Sequence, residues 1–374
     1  MPRRDEGGTG GPVARPLMES VELLPPLLGT LDRVEWVQRH LFPPRAAELT
    51  AELAPRTDLL ATPLRALHDV AWPDDLAFMR ERLVDVTQRT LDLIAAFVEA
   101  SRSPSDPIGL YRALRPFAPL QEALYPLASI LEPVSRWFIE PSRRDDRDLV
   151  KRLGAGMLRD DALKVGVRHG ANGRDTRGGF SLYVPETWDG AASLPLIVAL
   201  HGGSGHGRDF LWTWLREARS RGMLVLSPTS RDRTWSLMGR ADDDAPALSE
   251  MIAFVTREYP VDATRILLTG MSDGATYTFL RGLQESSPFT HLAPACGILH
   301  PMLLAYGLPH TQGRPIYLVH GALDWMFPVQ SARMSRDALV AAGARVVYRE
   351  IDDLSHTYPR DENPRILDWL MDSG

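Results

Sequence analysis

Residues 266–280 read ILLTGMSDGATYTFL: an apolar run, a serine between two glycines, then a segment of helical pattern. A G-x-S-x-G sequence placed between a strand and a helix makes a sharp turn that lifts the serine hydroxyl above the carboxyl edge of a sheet. Gly270 and Gly274 allow the close backbone approach that such a turn needs. Ser272 is therefore the candidate nucleophile, and a small residue in a tight turn is the plainer reading of the same five residues.

A serine hydroxyl is a weak nucleophile unless a base takes its proton and an acid orients that base. Both are available downstream. HGALDWMFP, residues 320–328, carries Asp324 after the apolar run IYLV, and IDDLSHTYP, residues 351–359, carries His356 after the next strand-like run. The order Ser272, Asp324, His356 is the one this arrangement calls for. Asp352 and Asp353 compete for the acid role but share a loop with the histidine, so Asp324 is preferred as the residue at a strand end. Of the other histidines, His201 and His320 each precede a glycine and are assigned to loop support, His300 to a loop bordering the pocket, and His40 and His68 to helical segments.

Acyl transfer also needs donors aimed at a developing oxyanion. LPLIVALHGGSGHG, residues 194–207, supplies a glycine-rich loop directly after a strand, which makes the Gly203 N–H the first expected donor. The N–H of Asp273, next to the nucleophile and opening its helix, is the second. The loop lacks the G-K-[ST] ending of a phosphate loop. His201 and His206 do not make a recognisable zinc set, so no metal and no other cofactor is expected. Trp235, Trp325, Met326 and Phe327 are expected to line an apolar or aromatic acyl pocket, although such residues serve equally as core.

The period of the apolar residues changes near residue 160. Before it, Leu76, Met79, Leu83, Val86, Thr90, Leu93 and Phe97 step by three and four, one helical stripe headed by Pro73, Asp74 and Asp75. Further helices are expected around 17–41, 45–53, 107–131 and 144–158, interrupted by prolines that include Pro25 and Pro26. After it, short β-rich runs at 163–169, 180–186, 194–203, 222–230, 265–274, 292–299, 314–324 and 345–351 alternate with helical segments. The expected fold class is α/β, a mostly parallel sheet flanked by helices and preceded by an all-helical N-terminal module. The expected divisions are a disordered head over 1–16, the helical module over 17–158 and a catalytic domain over 160–374.

The composition is that of an ordinary globular protein, 44% hydrophobic and 24% charged over 374 residues. The 42 Lys and Arg against 48 Asp and Glu give a net charge of −6 without a basic block, so nucleic acid is not an expected partner. Cys296 is the one cysteine and lies in the apolar run HLAPACGIL, where a buried thiol is expected. No apolar core follows the basic N-terminal residues, and no run reaches the ~18 apolar residues of a membrane span. A cytoplasmic location without a membrane span is the corresponding expectation.

With these residues assembled, 160–374 resemble an α/β-hydrolase serine esterase, most similar to the polyhydroxybutyrate-depolymerase-like and feruloyl-esterase-like branch. The HGGSG loop, VDATRILLTGMSDGATYTF, HGALDWMFP and the late SH carry the resemblance. It implies Ser272 as the acyl-forming nucleophile, His356 as general base and then acid, and Asp324 as the residue that orients the imidazolium. Asp273 and Ala275 stand where that branch often has Asn and Gly. The implied activity is carboxylic-ester hydrolysis through an acyl-enzyme, on a small-molecule or oligomeric ester. A serine peptidase of the same fold and a non-catalytic binding or scaffold protein are the alternatives. The helical module resembles no family; it is expected to cover the carboxyl-end face of the sheet as a lid, to stabilise the fold as a packing layer, or to form a homo-oligomer contact.

Overall fold

The computed structural model describes residues 14–103, 106–157, 164–238 and 241–372. Most of the expected head lies outside these residues, and Ala14–Pro16 already belong to the first helix. The chain divides into two units: one comprises residues up to Val37 together with Pro43–Val134, the other Gln38–Phe42 together with Ser135 onward.

The first unit is helical. Helix α1 (Ala14–Arg39) reaches it up to Val37 and runs through Pro25 and Pro26, where an interruption was expected. Pro25 and Pro26 leave the carbonyls of Val21 and Glu22 without helical donors, and elsewhere in the helix the hydroxyls of Ser20 and Thr30 donate to the carbonyls of Pro16 and Pro26. Then come α2 (Ala46–Leu53), α3 (Arg56–Asp69), α4 (Ala77–Ala100), α5 (Pro107–Leu114) and α6 (Phe117–Leu124). Helix α4 packs on α2, α3, α5 and α6. Its expected stripe is buried from Met79 to Phe97, whereas Leu76 sits in the 3₁₀ turn ahead of it and stays partly exposed. The buried hydroxyls of Thr87 and Thr90 donate to the carbonyls of Leu83 and Val86, which removes the cost of polar groups in an apolar stripe.

Helix α7 (Glu132–Trp137) spans the division, and α8 (Arg147–Met157) follows it in the second unit. By its internal packing the second unit takes up the chain again at Ser135, within α7. Arg219 donates to the carbonyl and hydroxyl of Ser135 at 2.8 and 3.0 Å, and Arg221 reaches Glu140 at 2.9 Å. These contacts hold Ser135 and Glu140 to the helix at Leu215–Arg221.

The sheet comprises β1 (Gly166–Gly170), β2 (Phe180–Val184), β3 (Leu194–Leu200), β4 (Leu224–Pro228), β5 (Val261–Met271), β6 (His291–Ala295), β7 (Pro315–Gly321) and β8 (Arg345–Ile351). Their order is β1-β2-β4-β3-β5-β6-β7-β8. The pairs β1/β2 and β2/β4 are antiparallel and the others parallel. Between the strands run α9 (Gly207–Phe210), α10 (Leu215–Arg221), α11 (Asp244–Glu258), α12 (Asp273–Gly282), α13 (Pro301–Ala305) and α14 (Val329–Ala341), with α15 (Asn363–Asp372) after β8. Strands β3, β4 and β6 are buried almost throughout, as a parallel sheet covered on both faces requires. Strand β3 has β4 on one side and β5 on the other, so the chain reverses its winding there, and ligands gather beyond the carboxyl ends of strands at such a point.

Candidate active site

The segment after β5 turns into α12 within one residue. Ser272 sits at that turn with φ 56° and ψ −120°, a conformation costly for any residue with a β-carbon. Its N–H donates to the Ala295 carbonyl at 3.0 Å, which pins the turn to the end of β6. A β-carbon on Gly270 would stand 2.5 Å from the Gly274 carbonyl carbon, so the strand and the helix can meet here only because the side chain is absent. The hydroxyl is thereby held above the sheet edge.

The residues expected to act with it converge on this hydroxyl. His356 Nε2 lies 2.9 Å from Ser272 Oγ, and His356 Nδ1 lies 2.9 Å from Asp324 Oδ2. Asp324 follows β7, and its Oδ1 accepts the N–H groups of Met326 and Phe327 at 3.0 and 2.8 Å. Those bonds fix the carboxylate while its second oxygen meets the imidazole. His320 adds a support: its Nε2–H donates to the Phe327 carbonyl at 2.8 Å, and burial pushes its imidazole down toward the neutral form. Asp352 and Asp353 take no part in this row.

The fold is that of an α/β-hydrolase. The decisive observation is a serine elbow after the fifth strand, joined to an acid after the seventh and a histidine after the eighth, on a sheet of this order. In this α/β-hydrolase the glycine loop after β3 runs against the elbow. A β-carbon on Gly202 would lie 3.4 Å from Ser272 Cβ, and one on Gly203 would lie 2.6 Å from Asp273 Oδ2. Gly203 and Asp273 are thus neighbours, with Gly202 against Ser272. His201 secures the loop: its Nδ1–H donates to the Gly202 carbonyl at 2.7 Å while its Nε2 accepts the Ser230 N–H at 3.1 Å. Burial pushes this imidazole down to about 3, so it stays neutral and keeps one tautomer. His206 and His300 cap α9 and α13 through their Nδ1 atoms.

The pocket residues divide. Trp235 is 3% exposed, its ring packed against Tyr277 at 5.2 Å and His201 at 4.9 Å, and its Nε1–H donates to the His201 carbonyl at 2.7 Å. This bond and the ring packing place it against the glycine loop. Trp325 is 40% exposed, Met326 and Phe327 are half-buried, and the Phe327 ring lies 5.5 Å from that of His356. Cys296 is buried beyond β6, with Sγ 3.4 Å from the Thr357 carbonyl, and burial raises its thiol well above the usual range.

Thr234 escaped the sequence reading. Its hydroxyl donates to Asp273 Oδ2 at 2.5 Å and so ties the loop after β4 to the elbow, 39 residues away. A lone threonine in a polar loop carries no periodic signal that could have marked it.

No protein-family model matches the chain. A curated relative, the bifunctional acetylxylan esterase/xylanase XynS20E of Neocallimastix patriciarum, is 26% identical over 200 residues, 51% of this chain and 28% of that protein. The chain thus spans less than a third of that relative's length. Among solved structures, a thermostable esterase is 23% identical over 52% of this chain and 58% of that one, with a TM-score of 0.44. Esterase PE8 is 20% identical over 51% of this chain and 96% of that one, with a TM-score of 0.42. Among the described residues, no helix is long and apolar enough to cross a membrane.

Proposed function

We propose that the chain is a serine esterase that cleaves carboxylic esters through an acyl-enzyme. The observation that carries this reading is the continuous row Ser272 Oγ, His356, Asp324, each step 2.9 Å, at the carboxyl ends of β5, β8 and β7. His356 Nε2 takes the Ser272 proton as Oγ attacks the ester carbonyl, and Asp324 stabilises the imidazolium that results. The carbonyl oxygen becomes an oxyanion that the N–H groups of Gly203 and Asp273 receive, each donor worth about 10²- to 10³-fold in rate. The imidazolium returns the proton to the departing alcohol. Water then attacks the acyl-enzyme, with His356 again as base, and the carboxylic acid leaves.

Phe327 lies beside the base, the exposed Trp325 and half-buried Met326 follow the acid in sequence, and the three are suited to contact an apolar acyl or alcohol group. The finer assignment, to polyester, feruloyl or acetylated sugar substrates, is read by an ester panel. It contains p-nitrophenyl esters of graded acyl length, a feruloyl ester, a hydroxybutyrate oligomer and an acetylated xylo-oligosaccharide, the last suggested by the relative's name. Hydrolysis that vanishes in Ser272→Ala is the expected result. Full hydrolysis by that variant, or amides cleaved faster than esters, overturns the reading.

A further inference from the structure

The loop that delivers His356 runs from the end of β8 to α15, and it is held on two sides. On the side of the acid, main-chain bonds join it to the loop after β7: Ala322 N–H to the Ile351 carbonyl at 2.9 Å, and Leu323 N–H to the Leu354 carbonyl at 3.0 Å. These bonds end two residues before the histidine. The other side is held by residues 38–42, which belong to this unit although the chain leaves it for the next 92 residues, 43–134.

We propose that Arg39 is a positioning residue for His356. Its guanidinium bridges both flanks of the loop, with Nη2 donating to Asp353 Oδ1 at 3.0 Å and Nε to Asp361 Oδ1 at 2.7 Å. Its main-chain carbonyl, at the end of α1 where no helical donor is available, accepts the hydroxyl of Thr357 at 3.0 Å. Three attachments from one residue therefore fall three places before the histidine, one after it and five after it. His40 adds an imidazole nitrogen 3.4 Å from Asp353 Oδ2. The arginine side chain is 11% exposed, whereas Asp353 and Asp361 are 52% and 54% exposed, so the bridge lies at the surface with its cation largely covered. The two carboxylates outweigh the opposing effect of burial and hold the guanidinium charged.

The geometry explains why a single planar fork is used. A guanidinium offers donors in fixed directions and can hold two carboxylates at a set separation, whereas an ammonium acts as one point charge. Holding Asp353 and Asp361 at that separation sets the span of the loop between them. His356 lies inside the span, and its Nε2 must remain within hydrogen-bond reach of Ser272 Oγ. Displacement of a catalytic group by about 1 Å can cost about 10²-fold in rate without loss of substrate binding.

This inference rests on the proposed role of His356, and the test separates the two. In the full-length protein, Arg39→Ala, Arg39→Lys and Thr357→Val are compared with the unaltered chain and Ser272→Ala, using a p-nitrophenyl ester and circular dichroism. Arg39→Ala is expected to lower kcat about 10- to 100-fold with KM within about two-fold. Arg39→Lys retains one charged contact and recovers part of the loss, and Thr357→Val, which removes one hydroxyl, gives a smaller fall in kcat. Methylguanidinium added to Arg39→Ala restores activity, and added to Ser272→Ala restores none. A folded Arg39→Ala protein with unchanged kcat overturns the positioning role alone, as does a loss shared equally by kcat and the folded signal with no methylguanidinium rescue. An unaltered chain without Ser272-dependent hydrolysis overturns both proposals.

Discussion

Gly274 and the His201 carbonyl oxygen are in such close approach that a β-carbon on the glycine would stand 2.5 Å from that oxygen. The first turn of α12 therefore packs directly on the start of the oxyanion loop, backbone against backbone. Gly274→Ala forces the two apart and is expected to cost about 1–3 kcal/mol of stability. It also displaces the Gly203 donor and lowers kcat. Urea unfolding and ester kinetics on the same preparation read both effects.

Ser272 stores strain in the turn that presents its hydroxyl. At φ 56° and ψ −120° a glycine is unstrained, so Ser272→Gly is expected to be about 1 kcal/mol more stable than Ser272→Ala, net of the greater freedom of glycine in the unfolded chain. Both variants lack the nucleophile. Thermal melts of the inactive pair isolate the backbone effect from catalysis.

If Ser272, His356 and Asp324 act as one unit, their losses do not add. Ser272→Ala or His356→Ala is expected to lower kcat by about 10⁶-fold and Asp324→Ala by about 10⁴-fold, with the triple variant no worse than the first two. A triple variant that multiplies the single losses would show that the three act separately.

Arg219 is a fully buried cation of the second unit. Its Nε donates to Glu186 Oε1 at 3.2 Å, while Glu186 Oε2 accepts the Tyr183 hydroxyl at 2.5 Å. Arg219→Met leaves a buried carboxylate facing an apolar chain and is expected to cost about 3–5 kcal/mol, whereas Arg219→Met with Glu186→Leu costs less. Chemical denaturation of the two variants checks the order.

Acid sensitivity follows from the neutral, buried histidines. Burial holds His201 at about 3 and His291 at about 4, against 6.5 for an ordinary imidazole. Between those values the unfolded chain binds a proton that the folded chain refuses. Stability from these groups is therefore whole above pH 6.5 and falls as the pH drops toward 3 for His201 and toward 4 for His291. The slope reaches about 1.4 kcal/mol per pH unit for each imidazole. His201→Phe is expected to flatten that limb, measured by urea midpoints from pH 7 to pH 4.

The strands were legible because a covered parallel sheet writes itself as short continuous apolar runs, and all of β1–β8 lie within or overlap the expected runs. Ser272, Asp324 and His356 were legible because each follows such a run. Helices α3 and α13 were not, the first crossed by Pro63 and the second too short to show a period. The packing of Trp235 on His201 was not legible, because hydropathy does not distinguish a ring that supports a loop from one that faces a ligand. A change of period records secondary structure and carries no sign of the packing of Arg219 on Ser135 or of Glu140 on Ser220. Arg39 was read only as part of a helix, since its partners lie 314 and 322 residues away.

That separation sets a schedule for synthesis. A ribosome adding about 5–20 residues per second needs tens of seconds to pass from Arg39 to Asp361. Through that interval the serine elbow and the glycine loop can form while the arginine waits for its carboxylates. A nascent chain that has reached only Ser272 thus carries no tethered histidine, and the Arg39 bridge across the His356 loop closes only after residue 361 has emerged.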